Sequence, residues 1–442
     1  MRATLLEFQD YVQEAQSIYL EDIREGNPQA FTRRRKITPY QLMLQMFAQK
    51  GRTQFSELLN FYRELETPLD ISTVGFYKAR MNYNPKAIQL MMKDYLSMIY
   101  ENRASSLVKF NGYILTAIDG STLTLPSSSE NMEKYGVTND ALENSPVMAR
   151  VSVLYDCINK LVIDTCVGAY ASSERTFAAK HIDELKEMMR YPTITTFDRG
   201  YFSMRLVDQL IENKQKFVLR MDKRNLKRYS QQLSSGEDQM FDMTFDRKQT
   251  NYYRKDQRFR TKLMNTSYRL RFVKIPILRK DTNEWYNEVL LTNLTQEECS
   301  LEGLREIYRL RWEIETVYNV LKNRMKLEEF SGFRERLIFQ DIYCCVWLYN
   351  LTMLHIMEVN ESKAIPQERY KYEMKRNISI SIGIIKTYFI QSIMGETYEK
   401  REESIIQMEN LLTAYLVPIR PDRKARRQES KNKSRRSYRY TY

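Results

Sequence analysis

Apolar residues change their spacing several times along the chain, and each change marks a different kind of element. From the N-terminus to about residue 105 they recur every three or four residues, as helices require. TPYQLMLQMFAQK begins with Thr38 as an N-cap and Pro39 at the first helical position. A shorter helix is predicted over 54 to 65, and in ISTVGFYKARMNYN Ser72 can cap a helix presenting Tyr77, Lys78 and Arg80. A helical bundle ending in a basic helix has the form of a helix-turn-helix DNA reader, and equally of a plain helical scaffold.

Near residue 111 the period shortens to that of strands. YILTAID (113 to 119) is a strand ending in an acid, and ARVSVLYD (149 to 156) and KLVIDTCVG (160 to 168) are two more around a short turn holding Asn159. A helix over 172 to 189 with Ser173 as cap, a strand within TITTFDRGYFS ending at Asp198, a helix over 203 to 213 and the strand KFVLR (216 to 220) follow. Three strands, then helix, strand, helix, strand is the order of an RNase H-like fold.

Beyond Arg220 the sequence turns polar and basic, as in RKQTNYYRKDQRFRTK, and then β-like in YRLRFVKIPIL, which reads as a β-rich insertion. NEVLLTNL is a strand leading into a helix over 301 to 326, and CCVWLYNLTMLHIM (344 to 357) is too short and interrupted to span a membrane and reads as a buried helix. The predicted fold class is therefore α/β: an RNase H-like mixed sheet with flanking helices, interrupted by a β-rich insertion, between N-terminal and C-terminal helical regions. The expected segments are 1–105 (helical, DNA-binding), 106–220 (first part of the core), 221–286 (insertion), 287–345 (second part of the core), 346–419 (helical) and 420–442 (a basic tail).

Composition narrows what such a fold can do. Gly and Pro are scarce in the 442 residues, 13 and 11, so flexible linkers are few and the units should pack closely. The formal net charge of +13 asks for a polyanionic partner. More than half of that excess lies from Arg420 onward, where ten Lys or Arg face only Asp422 and Glu429, and a second basic cluster, RRRK, occupies 33 to 36. Such a run is a solvated tail that can still grip phosphate. Glu7 and Asp10 interrupt any signal-peptide apolar run, and the five cysteines show no Cys-x-x-Cys spacing, so a reducing cytoplasm fits and neither a zinc site nor a disulfide framework is indicated. With only His181 and His355 in the chain, both read as structural, a His-rich metal site and a Ser-His-Asp hydrolase are improbable. A P-loop is absent as well. Chemistry must run on carboxylates, cations or hydroxyls.

Three carboxylates stand out. In an RNase H-like sheet the first and fourth strands are neighbours, so Asp119 and Asp198, at the ends of those strands, can approach although far apart in sequence. The third lies in YRLRWEIETVYNVLK (308 to 322), where a regular helix places Tyr308, Arg311, Glu315 and Lys322 in one narrow polar sector beside an apolar stripe of Ile307, Leu310, Ile314, Val317 and Leu321. Packed on the sheet by that stripe, the helix would aim Glu315 at the two aspartates. Three converging carboxylates without histidine suit Mg²⁺ or Mn²⁺, and two such ions can serve in-line phosphoryl transfer. Arg311 and Lys322 would then clamp phosphates, or simply neutralise Glu315.

The spacing Tyr-x2-Arg-x3-Glu-x6-Lys formed by Tyr308, Arg311, Glu315 and Lys322 resembles the signature of DDE transposases of the insertion-sequence-4 group. AIDGSTLTLP around Asp119 and FDRGYFS around Asp198 are similar to that family's two aspartate motifs, and the likeness continues through VLLTNL, LEEFSGFRERLIFQDIY and VPIRPDRKARR, from about residue 38 to 430. The resemblance implies that Asp119, Asp198 and Glu315 hold two Mg²⁺ or Mn²⁺ ions, while Tyr308, Arg311 and Lys322 contact phosphates near the cut. It implies double-stranded DNA partners, namely terminal inverted repeats and target, a homodimer in the synaptic complex, a place at the bacterial nucleoid, and cut-and-paste transposition through a hairpin. Some relatives place a base-stacking tryptophan before the strand that leads to the glutamate helix. Here Glu288 or Val289 falls there, the nearest aromatics are Trp285 and Tyr286, and Trp312 reads as core or helix packing. A catalytically silent DNA-binding regulator and a stand-alone metal nuclease of the same fold are the alternatives.

Overall fold

The computed structural model describes the chain except for residues 1–2, 34–35, 104, 140–144, 223, 279–282 and 421–442. Nearly all of the basic tail and the middle of the RRRK cluster therefore lie outside the described residues. Eight strands form one sheet: β1 (Ile114–Thr124), β2 (Met148–Asp156), β3 (Leu161–Ala169), β4 (Thr193–Phe197), β5 (Lys216–Arg220), β6 (Asp238–Met243), β7 (Tyr268–Leu278) and β8 (Trp285–Thr292). Their spatial order is β3-β2-β1-β4-β5-β8-β7-β6.

The first five strands make the RNase H-like arrangement. β1, β2 and β3 are an antiparallel meander, and β4 joins β1, and β5 joins β4, in parallel. The parallel connections run through the helices Glu174–Met188 and Met204–Glu212, which lie over the sheet with Phe177, Ile182, Leu185, Val207 and Leu210 buried. β4 is buried along its whole length, as a central strand covered on both faces must be. The later strands do not form a sheet of their own. β8 pairs antiparallel with β5, β7 with β8 and β6 with β7, so the basic segment after Arg220 widens the same sheet.

Two sequence expectations change here. YILTAID is only the first part of β1, which continues to Thr124 while paired with β2, so Asp119 sits inside the strand rather than at its end. The predicted single helix over 301 to 326 is three pieces: Leu301–Leu310, Glu313–Asn319 and a π-helical turn Val320–Arg324. Between the first two pieces the amides of Trp312, Ile314 and Glu315 bond carbonyls three residues back, at 3.3, 3.1 and 3.1 Å, and at the far end Met325 N bonds Val320 O five residues back at 3.0 Å. Tightening and then widening the turn breaks the regular 100° step on which the helical wheel rests. The apolar stripe survives this: Ile307, Ile314, Val317 and Leu321 are buried, and Leu310 packs half-buried beside them.

The helical regions meet on one long helix, Glu335–Ser362. Among the described residues it alone is long and apolar enough to cross a membrane, but 83% of its most apolar window is buried inside the protein. Its Trp347 lies within 6.4 Å of the ring centres of Phe8, Tyr11, Phe47 and Tyr95, joining the first helices of the chain to the last third. Thr38 does cap its helix, with a capping box to Gln41, and Ser72 caps Thr73–Met81. That helix keeps Tyr77 and Lys78 exposed, but Arg80 is not presented to a partner. It is buried, donating from Nε to Gln340 Oε1 at 2.9 Å and from Nη1 to Ser331 Oγ at 2.5 Å, and pairing with Asp341 at 2.9 Å. Its partners lie some 250 residues away in sequence, beyond the reach of a local pattern.

Candidate active site

The parallel register of β1 and β4 runs from Ile114 opposite Thr193 to Ala117 opposite Thr196. Continued by two residues, it sets Asp119 opposite Asp198, where β4 has ended and the chain turns into Arg199–Tyr201. A strand ending beside one that continues leaves an open notch at the sheet, and both aspartates stand in it. The short helix Glu313–Asn319 lies against β1 and adds Glu315.

Arg311 occupies the middle of this group. It is 4% exposed, and its charge is held above the usual arginine range, against burial, by Tyr308, Asp198, Asp119 and Glu315. Arg311 Nη2 reaches Glu315 Oε1 at 3.4 Å, its carbon centre stands 5.4 and 5.6 Å from the rings of Tyr308 and Trp312, and its Nε makes no hydrogen bond. The ion pair anticipated at four-residue spacing is present, but it belongs to a buried cation facing three acids rather than to a solvated face. Trp312 is 57% exposed, so it is neither core nor buried packing.

Asp119 carries the clearest electrostatic mark. Burial pushes its carboxyl up to about 6, the Gly120 amide and Arg311 pull it down, and Glu174 and Glu315 push it up again. Its carbonyl oxygen accepts from Tyr318 Oη at 2.8 Å and from Ser152 Oγ at 3.3 Å. Asp198 accepts from Tyr308 Oη at 3.3 Å and lies 3.5 Å from Arg220 Nη1, whose Nη2 pairs with the buried Glu288 at 2.6 Å. Tyr308 is buried, and burial holds its phenol well above the usual range. Lys322 is tied to β1 through Ser121 Oγ at 2.8 Å and the Thr122 carbonyl at 2.5 Å.

Six predicted residues thus fall in one neighbourhood, and four others join them that the sequence reading did not single out. Arg220 ends β5 beside Asp198, the same strand-end signal that marked Asp198 itself. Glu174, held by Arg150 Nη1 at 2.5 Å, would touch a Cβ placed on Gly120 at 2.9 Å, so only glycine fits next to Asp119 without moving that acid. Glu288 pairs with Arg220 of the neighbouring strand and Tyr318 with Asp119 of β1, partners distant in the sequence.

The donor set fits a divalent cation. Acidic side chains that share a notch and raise the carboxyl of Asp119 repel one another, and a hard, oxygen-seeking cation removes that repulsion. A second group, Asp164, Cys166 and His181, has donor atoms within 4.8 Å of one another. Those donors already satisfy each other, and Lys93 Nζ stands 3.0 Å from Asp164, so positive charge is already supplied there. A cavity of about 570 Å³ opens beside the segment leaving Asp198, lined by Phe202, Ser203 and, from the basic region, Lys227, Arg228 and Tyr252.

The chain thus has an RNase H-like sheet with two aspartates at neighbouring strands and a glutamate on the helix packed against them. The family model described as the transposase DDE domain matches residues 111–351, more than half of the chain, and the chain belongs to that family. It is also 32% identical over 89 residues to a Synechocystis sp. protein named as the transposase of insertion sequence element IS4SA, a match spanning 19% of this chain and 25% of that one. Among solved structures, a piggyBac transposase in a synaptic complex with hairpin DNA aligns over 93% of this chain and 84% of its own, at 11% identity and a TM-score of 0.44.

Proposed function

We propose that this chain is the transposase of a bacterial insertion element, cutting DNA at terminal inverted repeats and joining the freed ends to target DNA. The observation that carries this reading is the convergence of Asp119, Asp198 and Glu315 on the notch where β4 ends beside β1, around the buried Arg311. In it, Asp119, Asp198 and Glu315 are the ligands of two Mg²⁺ or Mn²⁺ ions, which would supply an activated attacking oxygen and charge stabilisation at the leaving oxygen. The protein's own part is to hold the three acids in place before DNA arrives.

Tyr308 and Arg220 orient Asp198, and Arg311 keeps the acids from forcing one another apart. Tyr308, Arg311 and Lys322 all have protein partners already, so their contribution to phosphate binding consists of exchanging those partners for phosphate oxygens. The exposed basic side chains of the inserted region, with Lys227 and Arg228 at the cavity, extend the cationic surface away from the acids. Cleavage through a hairpin and action as a homodimer, each subunit cutting the end held by the other, belong to the same proposal.

The test uses duplexes carrying the inverted repeats that flank the coding frame, incubated with the full-length protein and Mg²⁺. Strand cleavage at the repeat ends, lost in Glu315→Gln, supports the reading. Cleavage of any duplex alike would make the chain a nuclease, and end binding without cleavage by the native protein would make it a silent regulator.

A further inference from the structure

A buried histidine that the proposed reaction does not use, His181, lies behind Asp119. His181 descends from the helix Glu174–Met188 onto the sheet and bridges two strands, reaching a third through Ser152. Its Nδ1 stands 2.7 Å from Asp164 Oδ2 on β3, and its Nε2 stands 3.1 Å from Ser152 Oγ on β2. Ser152 Oγ in turn donates to the Asp119 carbonyl on β1 at 3.3 Å. At the other end, Asp164 is paired with Lys93 at 3.0 Å and accepts from Gln89 at 3.3 Å, both from the N-terminal helix Pro85–Asn102. Lys93 is also paired with Glu184 at 2.8 Å.

Counting hydrogens gives this chain a direction. Ser152 has one hydroxyl hydrogen, and if it goes to the Asp119 carbonyl then Nε2 of His181 must donate to Ser152. Asp164 faces Lys93 and can only accept, although burial opposes its charge: His181 and Lys93 hold its carboxyl below the usual range. Nδ1 must therefore donate as well.

We infer that His181 and Ser152 are positioning residues, a relay that fixes the backbone of Asp119 from behind and ties it to the N-terminal helical region through Asp164 and Lys93. The consequence for metal binding rests on the reading of Asp119 as a ligand. Groups that hold a ligand in place typically change metal affinity 10- to 100-fold when removed. Ser152→Ala removes one side-chain donor to the Asp119 carbonyl. Ser152→Thr keeps a hydroxyl there.

Two measurements on the full-length protein decide the matter. First, Mn²⁺ titration calorimetry without DNA, on the native chain and on Ser152→Ala, Ser152→Thr and Asp119→Asn, with the melting temperature as a control. The relay predicts affinity about 10-fold weaker in Ser152→Ala and near native in Ser152→Thr. Native affinity in a folded Ser152→Ala would overturn it. Second, ¹⁵N-histidine resonance, simple because the chain has two histidines, with His181 identified as the signal lost in His181→Asn. Hydrogen on Nε2 of His181 supports the relay, and a ring with hydrogen on Nδ1 alone, which would draw the Ser152 hydroxyl hydrogen to itself, overturns it. If Asp119→Asn leaves Mn²⁺ affinity unchanged, the metal-ligand reading fails instead, and the resonance result still decides the relay.

Discussion

Replacing Asp119 by Asn should abolish cleavage and at the same time stabilise the metal-free protein at neutral pH. In the folded chain burial and the nearby acids push the Asp119 carboxyl up to about 6, against an ordinary aspartate value near 3.9. The folded state therefore binds a proton more readily than the unfolded chain between roughly pH 4 and 6. Stability from this group rises as pH falls through 6, levels off below about 4, and is lowest above 7, where the buried carboxylate is fully charged. A gap of about two pH units at 1.36 kcal/mol each sets a ceiling of roughly 3 kcal/mol. The side chain is only partly shielded from water, so about 1 to 2 kcal/mol is the expected gain for Asp119→Asn at pH 7.5. Urea midpoints at pH 7.5 and 4.5 in excess chelator measure it directly. The variant should lead at pH 7.5 and lose its lead at pH 4.5. A variant less stable than the native chain at pH 7.5, or an equal difference at both pH values, would refute the reasoning.

Asp198→Asn and Glu315→Gln should each abolish Mg²⁺-dependent cleavage while leaving end binding near native in a mobility-shift assay, because a neutral amide is a poor ligand for a hard cation. Arg311→Ala should cost about 2 kcal/mol of stability by leaving three acids without their shared cation, whereas an exposed pair at four-residue spacing is worth at most roughly 0.5 kcal/mol; a melting curve beside a cleavage assay separates the two. Arg80→Met should cost roughly 3 kcal/mol or more, since Asp341 is left buried and unpaired, and the loss should appear in urea unfolding without DNA. Deleting residues 420 to 442 should weaken binding to all DNA sequences alike and flatten the plot of log affinity against log salt; an unchanged slope would show that the tail is no electrostatic grip.

The strands and helices were largely legible in the sequence because their signals are local. Period, caps such as Thr38 and Ser72, and strand length need only a window of about ten residues. Asp119 and Asp198 were legible for a less local reason: the fold implied by element order makes their strands neighbours, and the register then brings them together. What could not be read depends on long-range geometry. Arg80 looked like a surface cation because its partners, Ser331, Gln340 and Asp341, are supplied by another part of the chain. The merging of the basic region into the main sheet depends on the pairing of β8 with β5, which no pattern within either strand reveals. The break at Arg311 was hidden because every residue there keeps right-handed helical angles, Arg311 at φ −53° and Trp312 at φ −62°, while the hydrogen bonds change partner.

That break lies where one helix serves both core and site. A regular helix already keeps Ile307, Ile314 and Leu321 on one face, drifting only about 20° per heptad, with Tyr308, Arg311 and Glu315 in the adjoining sector. Tightening the turn after Leu310 and widening it again after Asn319 places an irregular turn on either side of Glu315. Asp119 is thus set within β1, Asp198 directly follows the end of β4, and the third acid rides on a short piece between two irregular turns. Glu315 is also the most open of the three, with its side chain 43% exposed against 35% for Asp198. In the proposed reading the two aspartates would define where the chemistry takes place, and Glu315 would be the ligand with room to adjust as charge enters the notch.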